Sequence, residues 1–142
     1  MNPTPEEKLS DYLADIDSNL LDTAALEASP AAEGHSIECV RQDDDSCYIP
    51  VEENGTAEIA LTWAEPVTIR RVVMQEQIRL SQRVEAFAID LWADGAWKTV
   101  NTGTVIGHKR IVTLERTRTT ALRIRILDAR VVPTMKFIGV YA

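Results

Sequence analysis

The stretch VEAFAIDLWADGAWKTV, Val84 to Val100, decides the fold. Phe87, Ile89 and Leu91 alternate with Ala88, Asp90 and Trp92, the two-residue period of a strand with one face in a core. Asp94-Gly95 then separates two such runs. A tight hairpin turn needs positive φ at both central residues, which Asp and Gly tolerate well. An antiparallel hairpin follows, with Trp97 and Thr99 on its second strand.

The same period recurs outward from this hairpin. Ala57, Ile59, Leu61 and Trp63 alternate with small or polar residues and predict a strand ended by Pro66. Val67 to Gln75 predicts another, and Ile106 to Leu114, Leu122 to Ile126 and Phe137 to Tyr141 predict three more, with His108 inside the first of these. Leu122, Ile124 and Ile126 alternate with Arg123 and Arg125, so that strand carries a basic outer face. Seven or more short strands, with turn signals every 8–12 residues, indicate a sandwich or barrel. Residues 23–56 read as loops with one short strand near Ile37–Val40.

Ahead of these strands, Leu9, Leu13, Ile16 and Leu20 form one apolar stripe at helical spacing. Thr4 and Pro5 suit the helix start, and Asn19 or Asp22 its end. Residues 1–22 are therefore expected to be a helical connector and residues 23–142 one β domain. A lone helix of this length is marginal in water, so its stripe needs a surface to dock on.

At 142 residues the chain has the size of one domain. No apolar run approaches 18 residues, so no membrane-spanning helix is expected, and no charged-then-apolar leader precedes the strands. The net charge is −7, unevenly spread: residues 1–58 carry 15 acidic and 2 basic side chains, residues 59–142 carry 7 and 13. The two halves solvate and attract each other, or the basic half faces an acidic partner. Nucleic acid is not expected, because a domain-wide basic footprint is missing.

No nucleophile–base constellation stands out: His35 and His108 are far apart, and GxSxG, HExxH and P-loop patterns are missing. Catalysis by this chain alone is not expected. Cys39 and Cys47, eight positions apart, can pair across a loop or stand free and half-buried, the second being the expectation from ordinary cysteine burial. Asp43-Asp44-Asp45-Ser46 is either a solvated acidic turn or an oxygen-rich cation loop, with Asp43 and Asp45 as the candidate ligands. Gln75, Glu76, Arg79, Gln82 and Arg83 crowd planar hydrogen-bonding groups into nine residues of an inter-strand connection. Such groups suit vicinal sugar hydroxyls. Equally, Arg79 and Arg83 can pair with Glu76 and Glu85 inside the connection. Trp63, Trp92 and Trp97 are read as core before sugar platforms.

The run QEQIRLSQRVEAFAIDLWADGAWKTVNTGTVIGHKRI (75–111), with LRIRILDARVVPTMKFIGVYA (122–142) after it, resembles the C-terminal discoidin-like (coagulation-factor type C) domain of bacterial α-L-fucosidases of glycoside hydrolase family 29. That family's pattern reads QExIxxGQRVxxFxVExWxDGxWxxxxxGTTIGxKR. The likeness extends from Thr62 to Tyr141 and departs at Ser81, where the family has Gly, and at His108, commonly Tyr. EEKLSDYLADIDSNLL (6–21) resembles the helical connector that joins the catalytic barrel to this domain, with Asn19-Leu20-Leu21 standing for Asn-Leu-Ala.

The resemblance implies an all-β, antiparallel β-sandwich jelly roll of the galactose-binding-like class, related to carbohydrate-binding module family 32. It implies a barrel elsewhere in the parent that holds the bond-breaking residues, a fucosylated or galactose-containing glycan as ligand, and a periplasmic or secreted bacterial setting. In such modules a cation loop reads DGDxxTxW; here Arg41 to Tyr48 fills that place without the first Asp, the Gly or the Trp, and Phe137 stands where a carboxylate is usual. The segment Gln75 to Arg83 occupies the place of the relatives' sugar-contacting Arg.

Overall fold

The computed structural model describes residues 19–44, 46–51, 56–77, 80 and 83–142. Among the described residues six strands form: β1 (Ala25–Ala28), β2 (Ala57–Glu76), β3 (Val84–Ala93), β4 (Ala96–Gly103), β5 (Arg110–Ala129) and β6 (Met135–Tyr141). Their order is β1-β2-β5-β3-β4, with β6 also paired to β2, and every pairing is antiparallel.

β2 and β5 each run 20 residues, where the periodicity predicted two shorter strands apiece. Their ladder holds from Ala57↔Ile126 to Thr62↔Ala121, slips at Thr62/Val67, resumes from Val67↔Thr119 to Ile69↔Thr117, and after a second slip at Ile69/Arg71 runs from Arg71↔Thr113 to Met74↔Arg110. Pro66 lies in the first slip. It cannot donate to the ladder, so it bends the strand; pairing on both sides keeps the strand from ending there. Thr119 secures the matching bend in β5: its buried hydroxyl donates to the carbonyl of Trp92, 2.7 Å away.

The bend makes two layers. The first half of β2 and the second half of β5 join β1, β3 and β4; the second half of β2 and the first half of β5 join β6. Ile59, Leu61, Phe87, Ile89, Leu122 and Ile124 of one layer share a single core with Ile69, Val72, Met74, Val112, Ile138 and Val140 of the other. This is the antiparallel sandwich expected from the alternation. The hairpin turn is also as read: Asp94 and Gly95 have φ of 53° and 77°.

Three local expectations need correction. Ile37–Arg41 is a 3₁₀ turn, not a strand. His108 lies in the turn before β5, since the strand begins only at Arg110. Trp63 is core, but Trp92 and Trp97 pack edge-to-face on the outer surface with centroids 5.4 Å apart. The indoles can sit there because the edge of one covers the face of the other.

The body of the expected connector helix lies outside the described residues. Its last residues show how the chain enters the domain. Asn19 caps a 3₁₀ turn, Leu20–Thr23, and its Oδ1 accepts from both Leu21 N (3.0 Å) and Val140 N of β6 (2.9 Å). Trp63 Nε1 donates to the Leu20 carbonyl (2.8 Å), and the Arg41 guanidinium donates to the carbonyls of Leu21 and Ala24. Leu21, buried beneath, completes the anchor.

On the outer face of the five-stranded layer, Asp90 is fully buried under its partners. Arg123 Nε and Arg125 Nε donate to Oδ2 (2.8 and 2.7 Å); Thr99 Oγ1 and a second Arg125 nitrogen donate to Oδ1 (2.7 and 3.1 Å). Arg123 also lies over the Trp97 ring, 4.6 Å from its centroid. Burial opposes ionisation of Asp90, but the hydrogen bonds from Arg125, Thr99 and Arg123 outweigh it and hold the carboxyl below its ordinary value. The stabilisation this gives is present above the unfolded carboxylate pKa and is lost as pH falls through the lower folded value. Asp90→Asn is therefore expected to cost about 2–4 kcal/mol at pH 7. The gap to wild type should narrow below roughly pH 4, as read by urea unfolding at both pH values.

Candidate functional site

Gln75 and Glu76 are not in a connection: they end β2 and are only 6% and 1% exposed. Alternation sends them apart. Glu76 points inward, where its carboxylate accepts three backbone N–H groups: Oε1 from Arg83 (2.7 Å) and Val84 (2.9 Å), Oε2 from Gly107 (2.7 Å). Glu76 N also donates to the Gly107 carbonyl, and Gln77 N to the carbonyl of Thr134. One buried carboxylate thus binds the loop entering β3 to the loop entering β5, and its neighbour adds the loop entering β6. Gly107, with φ of 65°, supplies the backbone conformation that exposes its N–H to Oε2.

Arg83 belongs to the same knot. Its Nε donates to the Leu80 carbonyl (3.0 Å), a terminal nitrogen to the Val132 carbonyl (2.9 Å), and its carbonyl accepts from Arg130 N. Glu85 faces Arg130 at 3.8 Å. Arg79 and Gln82 lie outside the described residues. The exposed Leu80, Val105 and Val131 come from the three loops so bound, beside a shallow depression of about 460 Å³ lined by Val84, Glu85, Val105 and Arg130.

Gln75 faces the other way, onto the outer surface of the three-stranded layer. Its Nε2 lies 3.5 Å from Asp43 Oδ2, and Lys136 Nζ is 3.2 Å from Asp43 Oδ1. Sequence distance hid this meeting of the sugar candidate with the cation candidate. As a calcium ligand Asp43 fits poorly, because a lysine ammonium already stands at its carboxylate. Asp44 turns back on its own loop, accepting from Ser46 N and Oγ; those bonds hold its carboxyl below the ordinary value. Among the described residues no three acids, histidines or cysteines gather as a metal site; Asp45 is outside them.

Cys39 and Cys47 are free thiols, Cys47 fully buried. Cys47 Sγ is 3.8 Å from His35 Nδ1, but that nitrogen donates to the Cys47 carbonyl (3.1 Å). Burial and the nearby Cys39 push the Cys47 thiol up, away from the thiolate a nucleophile needs. Tyr48 beside it donates to the Ser29 carbonyl (2.8 Å), and burial pushes its phenol up to about 12.

No protein-family model matches the chain. It is 29% identical to an alpha-L-fucosidase 1 of Oryza sativa subsp. japonica and 25% identical to alpha-L-fucosidase 1 of Arabidopsis thaliana, over 68% of this chain in each case. It spans only about a fifth of those relatives' length, 19% and 20%. Among solved structures, an α-L-fucosidase of Bacteroides thetaiotaomicron superposes on 94% of the chain with a TM-score of 0.83 and 24% identity, across 30% of its own length. A Ruminococcus gnavus glycoside hydrolase family 29 fucosidase, solved with fucose, gives 0.81 at 22% identity across 28%. Chitosan-binding module 1 of a Paenibacillus sp. IK-5 chitosanase/glucanase gives 0.77 at 16% identity, over 88% of this chain and 99% of that module.

The chain therefore has the β-sandwich fold that these fucosidases share with the chitosan-binding module, and its similarity to fucosidases in sequence extends over 68% of its length. In larger fucosidase chains this fold makes up about a third; in the chitosan-binding module it is nearly the whole.

Glu76→Gln places an amide N–H against one of three backbone donors. The loss of charge-assisted bonds is expected to cost about 3 kcal/mol, or roughly 10 °C in melting temperature. Amide exchange should quicken first at Arg83, Val84 and Gly107. Unchanged exchange there would separate Glu76 from the loops.

Proposed function

We propose that this chain is the non-catalytic, carbohydrate-binding-module-like domain of an α-L-fucosidase, contacting glycan or supporting the catalytic barrel during hydrolysis of fucosyl glycans. The observation that carries it is one fold, matched at similar quality in two settings: as about 30% of fucosidase chains and as 99% of a chitosan-binding module. The occupied roles of Glu76, Asp90, His35 and Cys47 support the non-catalytic part, because each holds a loop or a strand face. The C-terminal place in the parent and the connector role of residues 1–22 come from the sequence resemblance.

A purely structural docking role is the second reading. It is favoured by the apolar rim Leu80, Val105 and Val131, set on loops that Glu76 and Arg83 hold together. The purified chain is expected to leave an aryl fucoside uncleaved. Millimolar L-fucose, galactose or chitosan oligosaccharide should shift a contiguous set of its amide resonances. Silence with all three sugars would leave the docking role; cleavage of the fucoside would overturn both.

A further inference from the structure

The outer face of the three-stranded layer carries a depression of about 460 Å³ whose polar edge is Asp43, Arg71, Gln75 and Lys109 and whose apolar wall includes Phe137 and Tyr141. The cross-strand register explains the gathering: Arg71 lies opposite Tyr141, and Gln75 opposite Phe137. Arg71 is the unusual member. Its guanidinium sits over the Tyr141 ring, 5.1 Å from the centroid. Among the described residues, no carboxylate lies within ion-pair distance of Arg71 or Lys109, whereas Arg123 and Arg125 are engaged by Asp90 and Arg41 by Glu38.

The ring in turn is seated by a missing side chain. A Cβ on Gly139 would come within 2.7 Å of Tyr141 Cε2, so only glycine lets the ring lie there. Tyr141 therefore holds the guanidinium in place through its face and leaves the planar N–H fork at its rim for another acceptor. Lys109 adds a second cation, and the amide of Gln75 with the carboxylate of Asp43 offers groups that pair with hydroxyls. Phe137 offers apolar area for the C–H side of a sugar ring.

We infer that this face is the sugar-contacting surface, and that it takes a saccharide bearing an anionic substituent, a carboxylate or a sulfate, received by Arg71 and Lys109. The inference rests on the carbohydrate-contact reading and gives it a location away from the loop knot of Glu76 and Arg83. It also gives the basic half of the chain an acidic counterpart. Carboxylate and sulfate share the recognising chemistry: a planar or trigonal set of oxygens that a guanidinium meets through two parallel N–H bonds.

The test is an amide NMR titration of the full 142-residue chain with galacturonic acid, galactose 6-sulfate, galactose, and sodium sulfate at matched ionic strength. The two acidic sugars are expected to shift residues 71–75 and 137–141, more weakly as salt is raised. Arg71→Ala should weaken binding by about tenfold, the equivalent of one charge-assisted pair. Lys109→Gln, at an exposed turn, should weaken it by roughly threefold without touching the core. Gly139→Ala should displace Tyr141 and weaken binding with Arg71 still present. Equal shifts from sodium sulfate alone would reduce the face to a plain oxyanion site and overturn the saccharide claim. Equal affinity for galactose would overturn the anionic claim. Shifts confined to residues 77, 80, 83, 104–107 and 130–134 would remove this face and leave the carbohydrate-contact reading standing, whereas silence with every sugar would take both down and leave the docking role.

Discussion

The pairing of β2 with β5 is the constraint on which the rest depends. Two 20-residue strands run side by side through both layers and bend together, so each layer borrows its central pair from the same ladder. A break anywhere along that pair would separate the halves of the core, since Ile59 and Met74, or Ile124 and Val112, reach it from one strand. Pro66 and Thr119 mark where the ladder gives way and recovers. The first removes a donor, and the second supplies a hydroxyl that holds a neighbouring carbonyl.

Around this frame the acids divide by what meets them. Asp90 is met by two guanidinium groups and a hydroxyl, and stays ionised under cover. Among the described residues Glu76 is met only by backbone N–H groups, which turns a side chain at a strand end into the fastening of loops far apart in sequence. Asp43 is met by a lysine at the rim and remains half open to solvent. Ionic bonds at a surface contribute little each, so the first two acids matter to the fold and the third is available to chemistry. A net charge of −7 says nothing of this division.

The entry of the chain shows a similar economy. Asn19 serves a turn and a strand with one oxygen, Trp63 holds the next carbonyl, and Arg41 the two after it. Whatever precedes Asn19 is therefore joined to the sandwich through a fixed segment. In the solved fucosidases that share this fold, the matching region makes up less than a third of the polypeptide.

Alternation at Phe87, Ile89 and Leu91, the Asp94-Gly95 turn and the strand cores of residues 57–63, 67–75 and 122–126 determined the antiparallel class, because side-chain period and turn chemistry are local. The resemblance to fucosidases carried by residues 75–111 is likewise a property of the sequence alone. Tertiary structure decided the rest. Whether Pro66 ends a strand or bends it depends on a partner strand some 50 residues away. Gln75 and Glu76 are one bond apart in sequence, yet the pleat sends one to the surface beside Asp43 and the other into a knot with Gly107. The seating of Arg71 on Tyr141, beside Gly139, needs strands 70 residues apart to lie in register. Contacts of that kind leave no period in the chain: their cause is the folded ladder itself.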